Sequence, residues 1–161
     1  MLNPAAFPDQ PAPDHGELLH LDNQLCFALY STSLAMTKLY KPFLAKLGMT
    51  YPQYLVMLAL WQQDRLGVNA LGARLHLDSG TLTPLLKRMQ AGGWLTRQRD
   101  TPDERRVTVA LTPAGRKLKT QAKKIPDCVV AASQCALPEL VALTRQLQAL
   151  RGQLALSAQD S

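Results

Sequence analysis

The side chain in this sequence best suited to chemistry is Cys26. It stands in Leu21-Asp22-Asn23-Gln24-Leu25-Cys26-Phe27-Ala28-Leu29-Tyr30. A thiolate is a nucleophile towards peroxides, and the sulfenic acid it forms must be trapped before it oxidises further. Free cysteine is more often a small buried hydrophobe, and composition alone leaves both readings open. Cys26, Cys128 and Cys135 are an odd number without CxxC spacing, which indicates neither a disulfide framework nor a structural zinc site. His15, His20 and His76 add no compact ligand set, so no metal and no cofactor are expected.

These residues must be positioned by a largely helical chain. Residues 1–16 hold Pro4, Pro8, Pro11 and Pro13 and read as a flexible arm. A long helix is expected from about Glu17 to Gly48, with Leu18, Leu21, Leu25, Leu29, Met36, Leu39 and Phe43 at three- and four-residue steps and a proline, Pro42, of the kind that kinks helices. That start would bury Cys26 more than two turns inside the helix, beyond the terminal dipole, with Asp22 one turn earlier disfavouring a negative sulfur. Thr50-Tyr51-Pro52-Gln53 carries a capping-box signature and opens a second helix. A short helix over residues 69–75 follows, then a helix from Asp78-Ser79 to Gly92-Gly93. Pro84 is expected near that helix's first turn, where proline is tolerated. Residues 94–111 predict a β-hairpin. Thr112-Pro113 caps a helix reaching at least Ile125, Pro126 bends or breaks it, and Pro138-Glu139 opens a last helix bearing Leu140, Leu143, Leu147, Leu150 and Leu154.

The predicted class is therefore mainly α: a winged helix-turn-helix with a two-stranded β wing and flanking dimerisation helices. The expected division is an arm at 1–16, an N-terminal dimerisation and sensor helix at 17–48, the winged helix at 49–112 and C-terminal dimerisation helices at 113–157. The last leucine stripe needs a partner surface, and a second copy related by a two-fold axis supplies one. Charge is concentrated where the hairpin lies. Residues 79–124 carry eleven basic against three acidic side chains, a net +8 in a chain of net +6. Such a surface suits a polyanion, although a solvated helix face would carry the same charge. No apolar run reaches about 20 residues and no basic-then-apolar leader is visible, so no membrane and a cytoplasmic location are expected.

Several segments carry a family resemblance. Asn23-Gln24-Leu25-Cys26-Phe27, Lys41-Pro42, Thr50-Tyr51-Pro52-Gln53-Tyr54-Leu55 and Leu77-Asp78-Ser79-Gly80-Thr81-Leu82-Thr83-Pro84-Leu85-Leu86-Lys87-Arg88-Met89 closely resemble the organic hydroperoxide resistance regulators of the MarR family. Asp103-Glu104-Arg105 with Leu111-Thr112 is similar to that family's wing signature. The resemblance covers roughly residues 19–124. It implies a homodimeric transcriptional repressor that leaves its operator when organic hydroperoxides oxidise Cys26.

The resemblance also implies roles. Tyr40 and Tyr51 would stabilise the Cys26 thiolate as neutral donors, with Tyr30 nearby, while Tyr54 reads as a core aromatic. Tyr40 lies fourteen positions from Cys26, roughly 21 Å along a straight helix, so it would reach only the partner's thiol. Cys128 resembles the resolving position of the two-cysteine members; Cys135, one heptad further, is the alternative. Leu25, Phe27, Met36 and Met57 would favour bulky peroxides or serve as plain core. In the recognition helix Ser79, Thr81 and Thr83 would approach base edges and phosphates of double-stranded DNA, and Lys87 and Arg88 its phosphates. At the wing Arg105 would enter the minor groove, with Asp103 orienting it and Arg106 alongside; a solvated turn is the bland alternative. Two such helices would read a pseudo-palindrome with half-sites roughly 34 Å apart. An alternative keeps the fold and releases DNA by binding a small aromatic ligand. A thiol peroxidase is disfavoured: Cys26 lacks the Thr-x-x-Cys pattern and an obvious arginine partner, so no enzyme is expected.

Overall fold

In the computed structural model the chain is described over residues 16–100 and 103–158, with backbone alone at 99–100 and 103–106. All of the expected arm except Gly16 lies outside the described residues. The first long helix starts eight residues later than its leucine spacing predicts. Two 3₁₀ turns, Glu17–Leu19 and Leu21–Asn23, come first. Asn23 Nδ2 donates to the Glu17 carbonyl at 2.8 Å and the Gln24 side-chain amide donates to the Leu18 carbonyl. Such side-chain bonds compete with the helical ladder, so the leucine period continues where the helix does not. Helix α1 spans Leu25–Ala45 with Pro42 inside it, and Gly48 takes the left-handed conformation at φ 68° in the turn that follows.

Helix α2, Tyr51–Gln62, has the expected capping box, with the Thr50 N–H donating to Gln53 Oε1 at 2.8 Å. It buries Tyr54, Val56, Met57, Ala59 and Leu60, as a central helix must. Strand β1 (Leu66–Gly67) leads into α3 (Val68–Leu75), and α4 follows at Ser79–Ala91. His76 ends α3 in the left-handed conformation, φ 54°. The turn between the two helices folds back on α3 so closely that a Cβ on Gly72 would lie 2.9 Å from the Leu77 carbonyl oxygen.

Strands β2 (Leu95–Asp100) and β3 (Asp103–Leu111) form the predicted antiparallel hairpin. The short β1 adds a third strand to this two-stranded wing, in the order β1-β3-β2, with Leu66 opposite Val109. A two-residue strand is too short to leave a period in the sequence. Helix α5, Pro113–Ala122, is capped by Thr112 Oγ1, which accepts from the Gly115 N–H at 3.0 Å. It ends before Ile125, and Pro126 breaks nothing: it is the second residue of α6, Ile125–Ser133. A first-turn proline lacks only an N–H that the helix leaves unpaired anyway. Helix α7 spans Leu137–Ser157. Among the described residues no single helix is long and apolar enough to cross a membrane.

The chain forms two compact units, one from Met36 to Pro126 and one joining the residues up to Ala35 with those from Asp127 onward. The first holds the winged helix. Its largest fully buried side chains, among them Met57, Leu60, Leu71, Leu86 and Leu95, each contribute about 1.5–3 kcal/mol. At the base of the hairpin, Asp64 accepts from the Leu111 and Arg65 N–H groups at 2.8 and 2.9 Å and from Arg116 Nη2 at 2.9 Å. Trp61 Nε1 donates to the Gly115 carbonyl at 3.0 Å and Lys119 Nζ to the Trp61 carbonyl at 2.9 Å. A Cβ on Gly115 would stand only 2.0 Å from the Trp94 carbonyl oxygen. In the second unit α7 buries no residue and leaves Leu137, Val141, Leu143, Leu147 and Leu154 exposed.

Candidate redox thiol and nucleic-acid interface

Because α1 begins at Leu25, Cys26 is its second residue rather than a residue two turns inside. Gln24 is extended, at φ −86° and ψ 112°, and its carbonyl accepts the first α-helical bond, from the Ala28 N–H at 3.0 Å. The Cys26 N–H is therefore among the first-turn donors that the helix leaves unpaired, at the positive end of the dipole. Asp22 belongs to the preceding 3₁₀ turn, so the helical spacing that set it against the sulfur does not apply. All three thiols are free, and Cys26 is exposed rather than packed as a core residue of its own chain. Tyr30 stands one turn further along α1 and is also exposed, with Phe27 half-buried between them.

Tyr40 and Tyr51 come together, their ring centroids 4.9 Å apart, and Tyr54 lies 6.0 Å from Tyr40 and 6.3 Å from Trp61. Tyr54 is buried, as its reading as a core aromatic predicts. Burial, then the neighbouring Tyr51, pushes the Tyr40 phenol up; burial alone does so for Tyr51. Burial followed by the other two phenols raises Tyr54 to about 12. All three hydroxyls thus remain neutral donors at physiological pH. Met57 is fully buried in the winged-helix core, so of its two readings the plain core one holds.

Cys128 is the exposed fourth residue of α6. Cys135 is not one heptad along the same helix: α6 ends at Ser133, and left-handed Gln134 (φ 56°) turns the chain before it. Cys135 is half-buried, with its sulfur 3.4 Å from the Ser133 carbonyl oxygen. The helical-face argument for Cys135 therefore fails.

On α4, Leu82, Leu85, Leu86 and Met89 are buried, and Ser79, Thr81, Lys87 and Arg88 are exposed, with Thr83 half-buried. Asp78 caps the helix, accepting from the Thr81 N–H and Oγ1, both at 2.8 Å. Those bonds, side chain first, hold the Asp78 carboxyl below its ordinary range, and they fix the Thr81 hydroxyl while leaving its lone pairs available. Pro84 is the sixth residue of α4, one turn further in than expected, and has no N–H for the Gly80 carbonyl. A cleft of about 590 Å³ runs between α4 and the sheet, lined by Asn69, Ser79, Thr83, Arg97 and Thr108 among others. The side chains of Asp103, Arg105 and Arg106 lie outside the described residues. Sequence reasoning missed Arg97, which shares the α4-facing side of β2 with buried Leu95; strand alternation was the available signal.

These features are shared with known proteins. The model of the SarA/Rot transcriptional regulators matches residues 38–122. The organic hydroperoxide resistance transcriptional regulator of Bacillus subtilis (strain 168) is 48% identical over 132 residues, 82% of this chain and 90% of that protein. The chain belongs to the MarR-type winged-helix transcriptional regulators, within the organic hydroperoxide resistance group. This MarR-type protein is a DNA-binding transcriptional regulator and not an enzyme. Among solved structures, reduced AbfR of Staphylococcus epidermidis bound to DNA is similar at a TM-score of 0.70, with 34% identity, 87% of this chain and 98% of that one covered. Disulfide-formed AbfR gives 0.55 at 37% identity, covering 84% and 95%.

Proposed function

We propose that the protein is a homodimeric cytoplasmic repressor that senses organic hydroperoxides at Cys26 and releases a pseudo-palindromic operator on oxidation. The observation that carries this reading is the placement of Cys26, exposed at the second residue of α1. Its exposure leaves the sulfur open to a peroxide arriving from solvent, and the thiolate is the form that reacts. The thiolate attacks the terminal peroxide oxygen, the O–O bond breaks, and the departing alkoxide takes a proton to leave as an alcohol. Cys26 is then a sulfenic acid. The Cys128 thiol of the other subunit attacks that sulfur, expelling water and forming an intersubunit disulfide, with Cys135 as the alternative resolver. Tyr40 and Tyr51, paired and neutral, donate to the partner's sulfur across the interface. The exposed leucines of α7 and of the first turns supply the surface on which two copies meet.

Operator contact is assigned to Ser79, Thr81, Thr83, Lys87 and Arg88 on α4 and to Asp103, Arg105 and Arg106 on the hairpin. The poorer fit to disulfide-formed AbfR than to its reduced form supports a change of shape as the output. Gel shift on a duplex that the protein selects from a random pool tests the whole sequence of events. Cumene hydroperoxide should release wild type and a thiol reductant should restore it, while Cys26→Ser stays bound throughout. Release of the Cys26→Ser protein by the peroxide would end the proposal.

A second reading draws on a cavity of about 440 Å³ lined by Thr37, Lys38, Lys41, Leu44, Met49 and Tyr51. Its apolar floor and two ammonium groups suit a small aromatic acid. Release of the Cys26→Ser protein by salicylate would select it.

A further inference from the structure

We infer that Arg97, held in place by Gln90, is a phosphate anchor for DNA on the sheet side of the recognition helix. The inference rests on α4 and the hairpin being the DNA-facing surface. Arg97 follows Leu95 by two residues in β2, so both side chains point to the face that packs on α4. Leu95 is buried there; Arg97, one step towards the wing tip, is half-buried. Its Nε donates to Gln90 Oε1 at 2.7 Å. The guanidinium has five N–H donors, and engaging Nε leaves the four on its terminal nitrogens. Among the described residues no carboxylate pairs with it. Gln90 is neutral and adds no charge to this partly desolvated cation, so an anion arriving from outside can take up its terminal N–H donors.

What that anion is follows from the cleft. Arg97 lines the same 590 Å³ concavity as Ser79, Thr83, Asn69 and Thr108. Ser79 and Thr83 belong to the recognition helix, so a duplex engaged by α4 brings a backbone phosphate to the cleft wall. Gln90 acts through Arg97 and is a positioning residue: its amide fixes the plane of the guanidinium without adding charge. A planar fork held this way suits the paired oxygens of a phosphate.

The test uses the full-length reduced protein and fluorescence anisotropy on two duplexes, one selected from a random pool and one scrambled. Salt is varied from 50 to 200 mM, as such titrations require. Arg97→Gln should weaken both duplexes about 10-fold and lower the salt slope by about one. Arg97→Lys should restore the slope but not the full affinity. Gln90→Ala should weaken binding about 3-fold with the slope unchanged, a split that a purely structural role would not produce. Thermal unfolding of each variant separates lost contact from lost fold. An unchanged slope in Arg97→Gln, or a loss confined to the selected duplex, overturns the assignment. Lys87→Ala is the control for the surface itself. If it lowers the slope while Arg97→Gln does not, Arg97 alone is misassigned; if neither does, α4 is not the DNA-facing element.

Discussion

The two compact units of this chain are built on opposite principles. Between Met36 and Pro126 the apolar side chains are covered by their own unit, and polar groups such as Asp64, Trp61 and Thr112 reach named partners. In the other unit α7 is amphipathic and buries nothing, and the N-terminal turns leave Leu19 86% exposed. A monomer would lose hydrophobic stabilisation of about 25 cal/mol for every Å² left in water. The winged helix buries its own apolar side chains, whereas the other unit leaves its leucines in solvent, as the proposed dimer interface requires.

The sharpest way to break the first half is Gly115→Ala, whose added carbon would meet the Trp94 carbonyl oxygen at 2.0 Å. The winged helix should lose at least about 3 kcal/mol in urea unfolding. A loss under 1 kcal/mol would show that the two segments can separate freely. The second half breaks differently: Leu147→Glu with Leu154→Glu places charges on the exposed α7 stripe. Sedimentation should show a monomer, and DNA affinity should fall about 100-fold as two half-sites lose their linkage. The winged-helix transition should stay in place; a dimer that persists would assign the interface elsewhere.

A smaller effect is expected of the paired phenols. Tyr40→Phe and Tyr51→Phe should each slow cumene hydroperoxide oxidation of Cys26 about 10-fold, one hydrogen bond to an anion being about 1.5–3 kcal/mol. Stopped-flow thiol loss measures it, and unchanged rates would leave these rings a packing role only.

The smallest is Asp64→Asn, about 1 kcal/mol. Burial raises the Asp64 carboxyl, but hydrogen bonds from Leu111, Arg116 and Arg65 outweigh it and hold it below its ordinary value of 3.8. A depressed folded value means that this stabilisation is complete above the unfolded value and is lost as pH falls through the folded one. Acid unfolding of Asp64→Asn should therefore be flatter below about pH 4 than that of wild type. Equal pH dependence would place the acid sensitivity elsewhere.

Much of the fold was legible because local signals agreed with tertiary needs. Thr50 with Gln53, Asp78, and Thr112 with Pro113 each begin a helix as their types predict. The failures have one cause: periodicity records which face is apolar, not whether the backbone between is helical. Leu18, Leu21 and Leu25 keep the helical step through two 3₁₀ turns, so leucine spacing alone places the start of α1 too early and Cys26 too deep. Pro126 predicts a bend or break yet stands in the first turn of α6, because proline alone does not say whether it precedes or follows a helix end. The tyrosine pair was legible by resemblance, whereas Arg97 needed the register of β2 before its partner Gln90 could be seen.

Both tryptophans of the chain, Trp61 and Trp94, reside in the winged-helix unit, one pinned by its indole N–H and the other against Gly115. Intrinsic indole emission is consequently blind to the remaining half of the molecule, whereas helical ellipticity counts α7 in full. An optical melt followed at one wavelength would report a single event even where subunit separation and domain unfolding occur at different temperatures.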